Sequence, residues 1–183
     1  MSAKTTHTFR RAHKLLALVV GGQFLFWTAS GVFFTVFPIE QIRGEHLVDR
    51  SLSAAPKIGE VELLSPTFVL GAAESVTLRR GLSGPVYEVV GDGIARVHDA
   101  TTGERIPPLD ESSAAELASL YWTGEGELVR TDYIRRPPRE AGTPSPLWRV
   151  QFEGAQSATL WIDPDRANLK AVRTTNWRIF DVL

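Results

Sequence analysis

Four histidines, His7, His13, His46 and His98, hold every imidazole of this 183-residue chain. An imidazole can ligate a metal or move a proton near neutral pH. His13 is the unusual one. It opens the stretch "RRAHKLLALVVGGQFLFWTASGVFFTVFP" (residues 10–38), at the mouth of a long apolar run. It is either a ligand at the edge of that run or an interfacial anchor beside Arg10, Arg11 and Lys14. His46, in "IRGEHL", reads as a solvated polar residue. His98 alternates with Val97 and is expected on the wet face of its strand, and His7 lies in a terminal tail. Other chemistry is sparse. The chain has no cysteine, which excludes disulfides, thiolate zinc sites and cysteine nucleophiles. Asp163 and Asp165 in "DPD" fall short of the roughly six to eight oxygens that calcium takes, and read as a turn. "GDG" at residues 91–93 reads as a hairpin turn and not a phosphate loop. Ser30-Gly31 and Ser83-Gly84 have no nucleophile-elbow context. The pairs Arg79-Arg80 and Arg135-Arg136 read as solvated surface, with an anionic ligand or a partner as the alternative.

These residues need elements to hold them. Residues 15–37 contain no charge, and Gln23 is their one strongly polar side chain. About 20 apolar residues cross a bilayer core. A signal-peptide core is shorter, about 7–15 residues, and this run carries bulky Phe24, Phe26 and Trp27 at its centre. A retained anchor is therefore expected. Lys4, Arg10, Arg11 and Lys14 precede it with no acidic residue among them, whereas the rest of the chain is mildly acidic. The positive-inside rule then predicts a cytoplasmic tail (1–14), a transmembrane helix (15–38) and a body outside the inner membrane, in the periplasm of a Gram-negative cell. An acidic body argues against nucleic-acid binding. Gly21, Gly22, Ala29, Ser30 and Gly31 are small enough to admit a second helix, or are simply tolerated in lipid.

Residues 39–65 read as a juxtamembrane linker, with a short helix near 40–48. The rest, 66–183, is expected to contain two similar antiparallel meanders of three strands each, about 85–108 and 146–174. Val86 to Val90 should pair with Ile94 to His98, and Trp148 to Phe152 with Thr159 to Ile162. Asp110 is a good N-cap, and Ala114, Leu117, Ala118 and Tyr121 share a face, so Glu111–Tyr121 is expected as a helix covering a sheet. A weaker helix is expected near 67–74, and 134–146 as a Pro- and Arg-rich loop. The fold class is α+β: one N-terminal transmembrane helix, then antiparallel meanders with a covering helix.

The stretch Tyr87-Glu88-Val89, followed by Val97-His98-Asp99-Ala100-Thr101-Thr102-Gly103-Glu104, resembles the PepSY domain. Arg10, His13, Lys14, Trp27, Ser30 and Gly31 resemble the first helix of PepSY-associated transmembrane proteins, and "WRIFD" (177–181) resembles the segment that leads there into a further histidine-bearing span. The second meander departs from the motif, since "DPDRANLK" has no turn glycine. The sequence stops at Leu183, where the pattern would continue, so a fragment or a truncated relative is expected. Trp177 and Phe180 should then be uncovered, near residues 37–43. The resemblance implies the N-terminal part of an inner-membrane haem-b electron-transfer protein of the ferric-siderophore reductase type, inactive alone. His13 becomes a candidate haem ligand and His46 a weaker one, with further histidines required from other helices or a partner. Residues 13–37 would rise about 36 Å as a helix, so the two cannot share one haem. The alternative is a non-enzymatic single-span PepSY module that binds or regulates a peptidase or a membrane partner. No catalytic residue and no bound metal ion is expected within this chain.

Overall fold

The computed structural model describes residues 3–36, 44–54, 56, 62–68, 73–155, 157–175, 177 and 178. The chain divides into two units, Met1–Gln41 and Ile42–Leu183. The first is a single helix, α1 (Ala3–Val36). Its segment Phe9–Val32 is long and apolar enough to cross a membrane, and none of it is buried against protein. Phe24 and Trp27 are about two-thirds exposed. The hydroxyls of Thr28 and Thr35 donate to the carbonyls of Phe24 and Gly31, both at 2.9 Å. Such back-bonding satisfies hydroxyls that lipid could not. A methyl group added at Gly21, Gly22 or Gly31 would meet nothing.

The second unit is α+β. Strands β1 (Ser75–Arg80), β2 (Pro85–Gly91), β3 (Ile94–Asp99) and β4 (Arg105–Ile106) form one antiparallel sheet in chain order. Helix α2 (Glu111–Tyr121) follows. Strands β5 (Glu127–Ile134), β6 (Leu147–Glu153), β7 (Ala158–Asp163) and β8 (Asn168–Thr174) form the second sheet, also in chain order. Both expected hairpins are present, with Gly91 opposite Ile94 and Trp148 opposite Ile162. Asp92 and Gly93 both have positive φ, at 53° and 72°. That is the two-residue turn whose twist matches a hairpin, as "GDG" suggested.

Each meander has four strands and not three, because β1 and β5 lead them. Of the expected loop 134–146, Ile134 closes β5 and residues 135–146 are irregular apart from a 3-10 turn at Arg139–Ala141. Of the two weaker helices, the described residues contain only the 3-10 turns Glu45–Leu47 and Pro66–Phe68. Residues 40–43 and 69–72 lie outside the description.

Helix α2 forms as its sequence dictates. The Asp110 side chain accepts from the Ser113 amide at 2.8 Å, and Ala114, Leu117, Ala118 and Tyr121 are its buried residues. These pack with Leu47, Val48, Val150, Phe152, Leu160, Ile162 and Val172 in the main core. Ala141, Leu147, Trp161 and Ala171 make a second cluster. Trp148 and Trp161 therefore do sit in different surroundings. Gly44 packs so closely against Val172 and Thr174 that a Cβ there would lie 2.6 Å from Thr174 Cγ2. The described body thus begins beside the end of β8. Trp177 is half-buried, with the Arg173 guanidinium 4.2 Å from its ring centre and its amide donating to Thr174 Oγ1 at 3.0 Å. Phe180 and residues 37–43 lie outside the description.

The two meanders share their bonding as well as their strand order. Asp99 Oδ1 accepts from the amides of Thr101 and Thr102, and Asp163 Oδ1 from those of Asp165 and Arg166. Each turn then has one left-handed residue four places after its aspartate, Gly103 (φ 77°) and Ala167 (φ 47°). The residue directly after each aspartate offers its carbonyl to the start of its own module: Leu64 N donates to Ala100 O at 2.8 Å, and Leu109 N to Pro164 O at 3.0 Å. The carbonyls of those same leucines accept from an aromatic side chain, Leu64 from Tyr87 Oη at 2.7 Å and Leu109 from Trp148 Nε1 at 2.8 Å. The body is a tandem repeat at the level of individual hydrogen bonds. The second turn keeps its form without a glycine.

Candidate functional site

His13 lies exposed on α1, on a surface shared with Phe9, Arg10 and Lys14. The described residues of α1 contain one other histidine, His7. The two are six positions apart, which puts them about 120° apart around the helix axis. His46 lies exposed in the 3-10 turn Glu45–Leu47, and its carbonyl accepts from Thr123 Oγ1 at 3.4 Å while Leu47 enters the core. Among the described residues no group of three or more His, Cys, Asp or Glu could hold a metal ion. A b-type haem held between two imidazoles needs one on each side of the iron. Among the described residues, α1 presents His13 as the one imidazole on its face.

His98 corrects the expectation made for it. It pairs with Tyr87, on a sheet face where Tyr87 and Val89 are buried under Leu63 and Ala73. It is half-buried, and its Nδ1 lies 3.2 Å from Gly103 O, across the turn it helps to close. Both faces of β2 are covered, so its buried residues run consecutively from Val86 to Val89 and do not alternate.

Arg79 is the second correction. Only Arg80 of that pair is surface; Arg79 is 4% exposed. Its Nε donates to Glu88 Oε2 at 3.1 Å, and its Nη1 to the carbonyls of Arg80 and Ala167 at 3.1 and 3.3 Å. Its Nη2 donates to Arg166 O. Arg166 Nη1 donates to the other oxygen of Glu88. This network fastens the first sheet (Arg79, Glu88) to the β7–β8 turn of the second (Arg166, Ala167). The available signal was "VYEVV": a carboxylate inside an apolar strand needs a cation and hydrogen bonds to be buried at all.

Beside this seam is a cleft of about 220 Å³. The β1–β2 hairpin, the segment entering α2 and Ala167 enclose it. Leu82, Val86, Val97, Ile106 and Leu109 give it an apolar floor, and Asp99 and Asp110 stand among its lining residues. The Thr101 hydroxyl, helped by backbone amides, holds the Asp99 carboxyl below its ordinary range. The Ser113 amide does the same for Asp110. Both carboxylates are committed to a turn and a helix cap and stay ionised near neutrality, which makes them poor proton donors. The cleft combines an apolar floor with fixed negative charge in its lining. No protein-family model, curated protein or solved structure matches the chain.

Proposed function

We propose that this chain is a membrane-anchored PepSY-like protein: α1 holds it in a bacterial inner membrane, its N-terminus faces the cytoplasm, and its tandem body works in the periplasm by binding a peptidase or a membrane partner. The observation that carries this reading is the bond-for-bond repetition of the Asp99 turn at Asp163, because the residues on which the PepSY resemblance rests are the ones that build and dock that turn. The apolar cleft at the seam of the two modules supplies a binding surface. The unburied apolar length of α1, with basic residues before it, supports the anchor and its direction. Fractionation with alkaline carbonate tests the anchor: the full chain should stay with the membrane pellet, and release into the supernatant would contradict it.

A second reading has one observation in its favour, the exposed His13 at the basic end of the apolar helix. In that reading the chain is the leading anchor and outer domain of a haem-b electron-transfer protein of the ferric-siderophore reductase type, and His13 is one axial ligand. The other ligands come from further helices or from a partner. A reduced-minus-oxidised visible spectrum of the chain purified from native membranes together with whatever co-purifies separates the two readings. The binding reading expects no b-type bands. Bands that disappear in His13→Ala would establish the second reading in its place.

A further inference from the structure

The second sheet ends on β5, and among the described residues no other strand pairs with the outer edge of β5. The other edges are short or partly flanked by neighbouring segments. β4 has two residues, Arg80 at the end of β1 donates its amide to Ala54 O at 3.2 Å, and β8 lies against Gly44 and the 3-10 turn Arg139–Ala141. β5 has eight residues, without proline or lysine, and its Val129 and Tyr133 are 50% and 47% exposed. Proteins normally guard such an edge, because open amides and carbonyls invite another strand. Here one irregularity breaks it, between Leu128 and Arg130.

The centre of this strand is complementary to itself. In "VRTDY" (129–133), turning a second copy about an axis through Thr131, normal to the sheet, sets Arg130 opposite Asp132 twice and Val129 opposite Tyr133 twice. The faces agree. Arg130 and Asp132 lie opposite Gln151 and Arg149, on one face of the sheet. Thr131 and Tyr133 lie opposite Val150 and Trp148, on the other. Such an axis preserves faces, so the competing registers are shifted by whole pairs of positions. Centring on Arg130 or on Asp132 sets like charges opposite each other, which is unfavourable. The Arg130 side chain is 62% exposed. It already reaches Asp132 of its own strand at 2.8 Å, and Arg149 reaches the same carboxylate oxygen at 2.7 Å. A second copy would extend this row of alternating charge across the junction.

We infer that the body associates with a second copy of itself through antiparallel β5–β5 pairing centred on Thr131, giving a twofold dimer with one continuous eight-stranded sheet. The interface is isologous, as a twofold requires, and it does not depend on the compartment or on the nature of any other partner.

The absence of cysteine allows a register-specific test on the full chain in detergent. Arg130→Cys chains are mixed with Asp132→Cys chains under mild oxidation. In the inferred register these positions face each other within disulfide reach, while the other Arg130–Asp132 pair of the mixed dimer keeps its charges. Two copies of one variant place their cysteines two residues out of register, beyond the roughly 7 Å limit between Cα atoms. The mixture should give a covalent dimer, and each variant alone should not. Arg130→Asp, which sets like charges opposite each other, should abolish self-association while the tryptophan fluorescence stays native. A wild-type chain that is monomeric at micromolar concentration would overturn the inference. So would cross-linking as strong in either variant alone as in the mixture, or a dimer that Arg130→Asp leaves intact.

Discussion

Glu88 is the residue on which the joining of the two sheets turns. It is 8% exposed and takes one arginine from each sheet. Removing one member of a buried pair leaves a charge without compensation and costs about 3–5 kcal/mol. Glu88→Ala should therefore lower the urea midpoint steeply, whereas Arg166→Ala, at a more open position, should lower it much less. Equal losses would contradict the ranking. Two aspartates, one in a turn and one in a strand, give a pH signature. Asp99 and Asp132 have their carboxyls held below the ordinary range, Asp99 chiefly by the Thr101 hydroxyl and Asp132 chiefly by Arg149. A depressed folded-state pKa contributes stability that is fully present above the unfolded value, near pH 4, and is lost as pH falls through the folded value. An acid titration followed by tryptophan fluorescence should show the wild type losing stability below about pH 4, and Asp99→Asn should flatten that slope while lowering stability at neutral pH. At this scale the sequence was a partial guide. It read Asp163 as part of a turn, and it offered Asp99 only within the PepSY-like motif. It did not reveal Arg79 as buried, because burial of an arginine depends on a carboxylate in another strand and carbonyls about 88 positions away.

Among the elements, those closed by local rules were legible and those defined by an edge were not. Helix α2 announces itself through Asp110 and its buried face, and the β2–β3 hairpin through Asp92-Gly93. β1 and β5 escaped for physical reasons. Arg79 occupies an inward position of β1 that would ordinarily be apolar, and the irregularity between Leu128 and Arg130 puts two apolar residues side by side and breaks the period of two in β5. The missing glycine of the second turn also misled, since Ala167 takes the left-handed conformation anyway. Asp163 fixes the turn from one side, and the Ala167 methyl is buried in the main core from the other. Gly103, with neither a Cβ nor that packing, should be the less tolerant site: Gly103→Ala should cost about 1–2 kcal/mol, read from thermal unfolding. The repeat makes a paired prediction as well. Tyr87→Phe and Trp148→Phe each remove the donor to a leucine carbonyl at the start of a module. Each should destabilise by about 1 kcal/mol through that bond, with the larger Trp148 change adding lost packing. A neutral Tyr87→Phe would show that the shared bond does not hold the first module together.

For the whole molecule, the two units obey different solvents. Helix α1 exposes apolar side chains all round, which suits lipid and not water. The unit 42–183 buries a core of its own. That contrast was plain in the sequence, because hydropathy over more than 20 residues needs no tertiary context. The joining of two repeats through a buried ion network was not, because it exists only once both sheets have formed. The proposal that α1 spans the membrane and carries the body out of the cytoplasm is tested most directly by fusing two reporters in turn after Leu183, one active only outside the cytoplasm and one active only within it. A periplasmic body predicts activity of the first fusion and silence of the second, with the signal lost when residues 15–36 are deleted. Activity of the cytoplasmic reporter at that site would contradict the orientation and, with it, the placement of the tandem body in the periplasm.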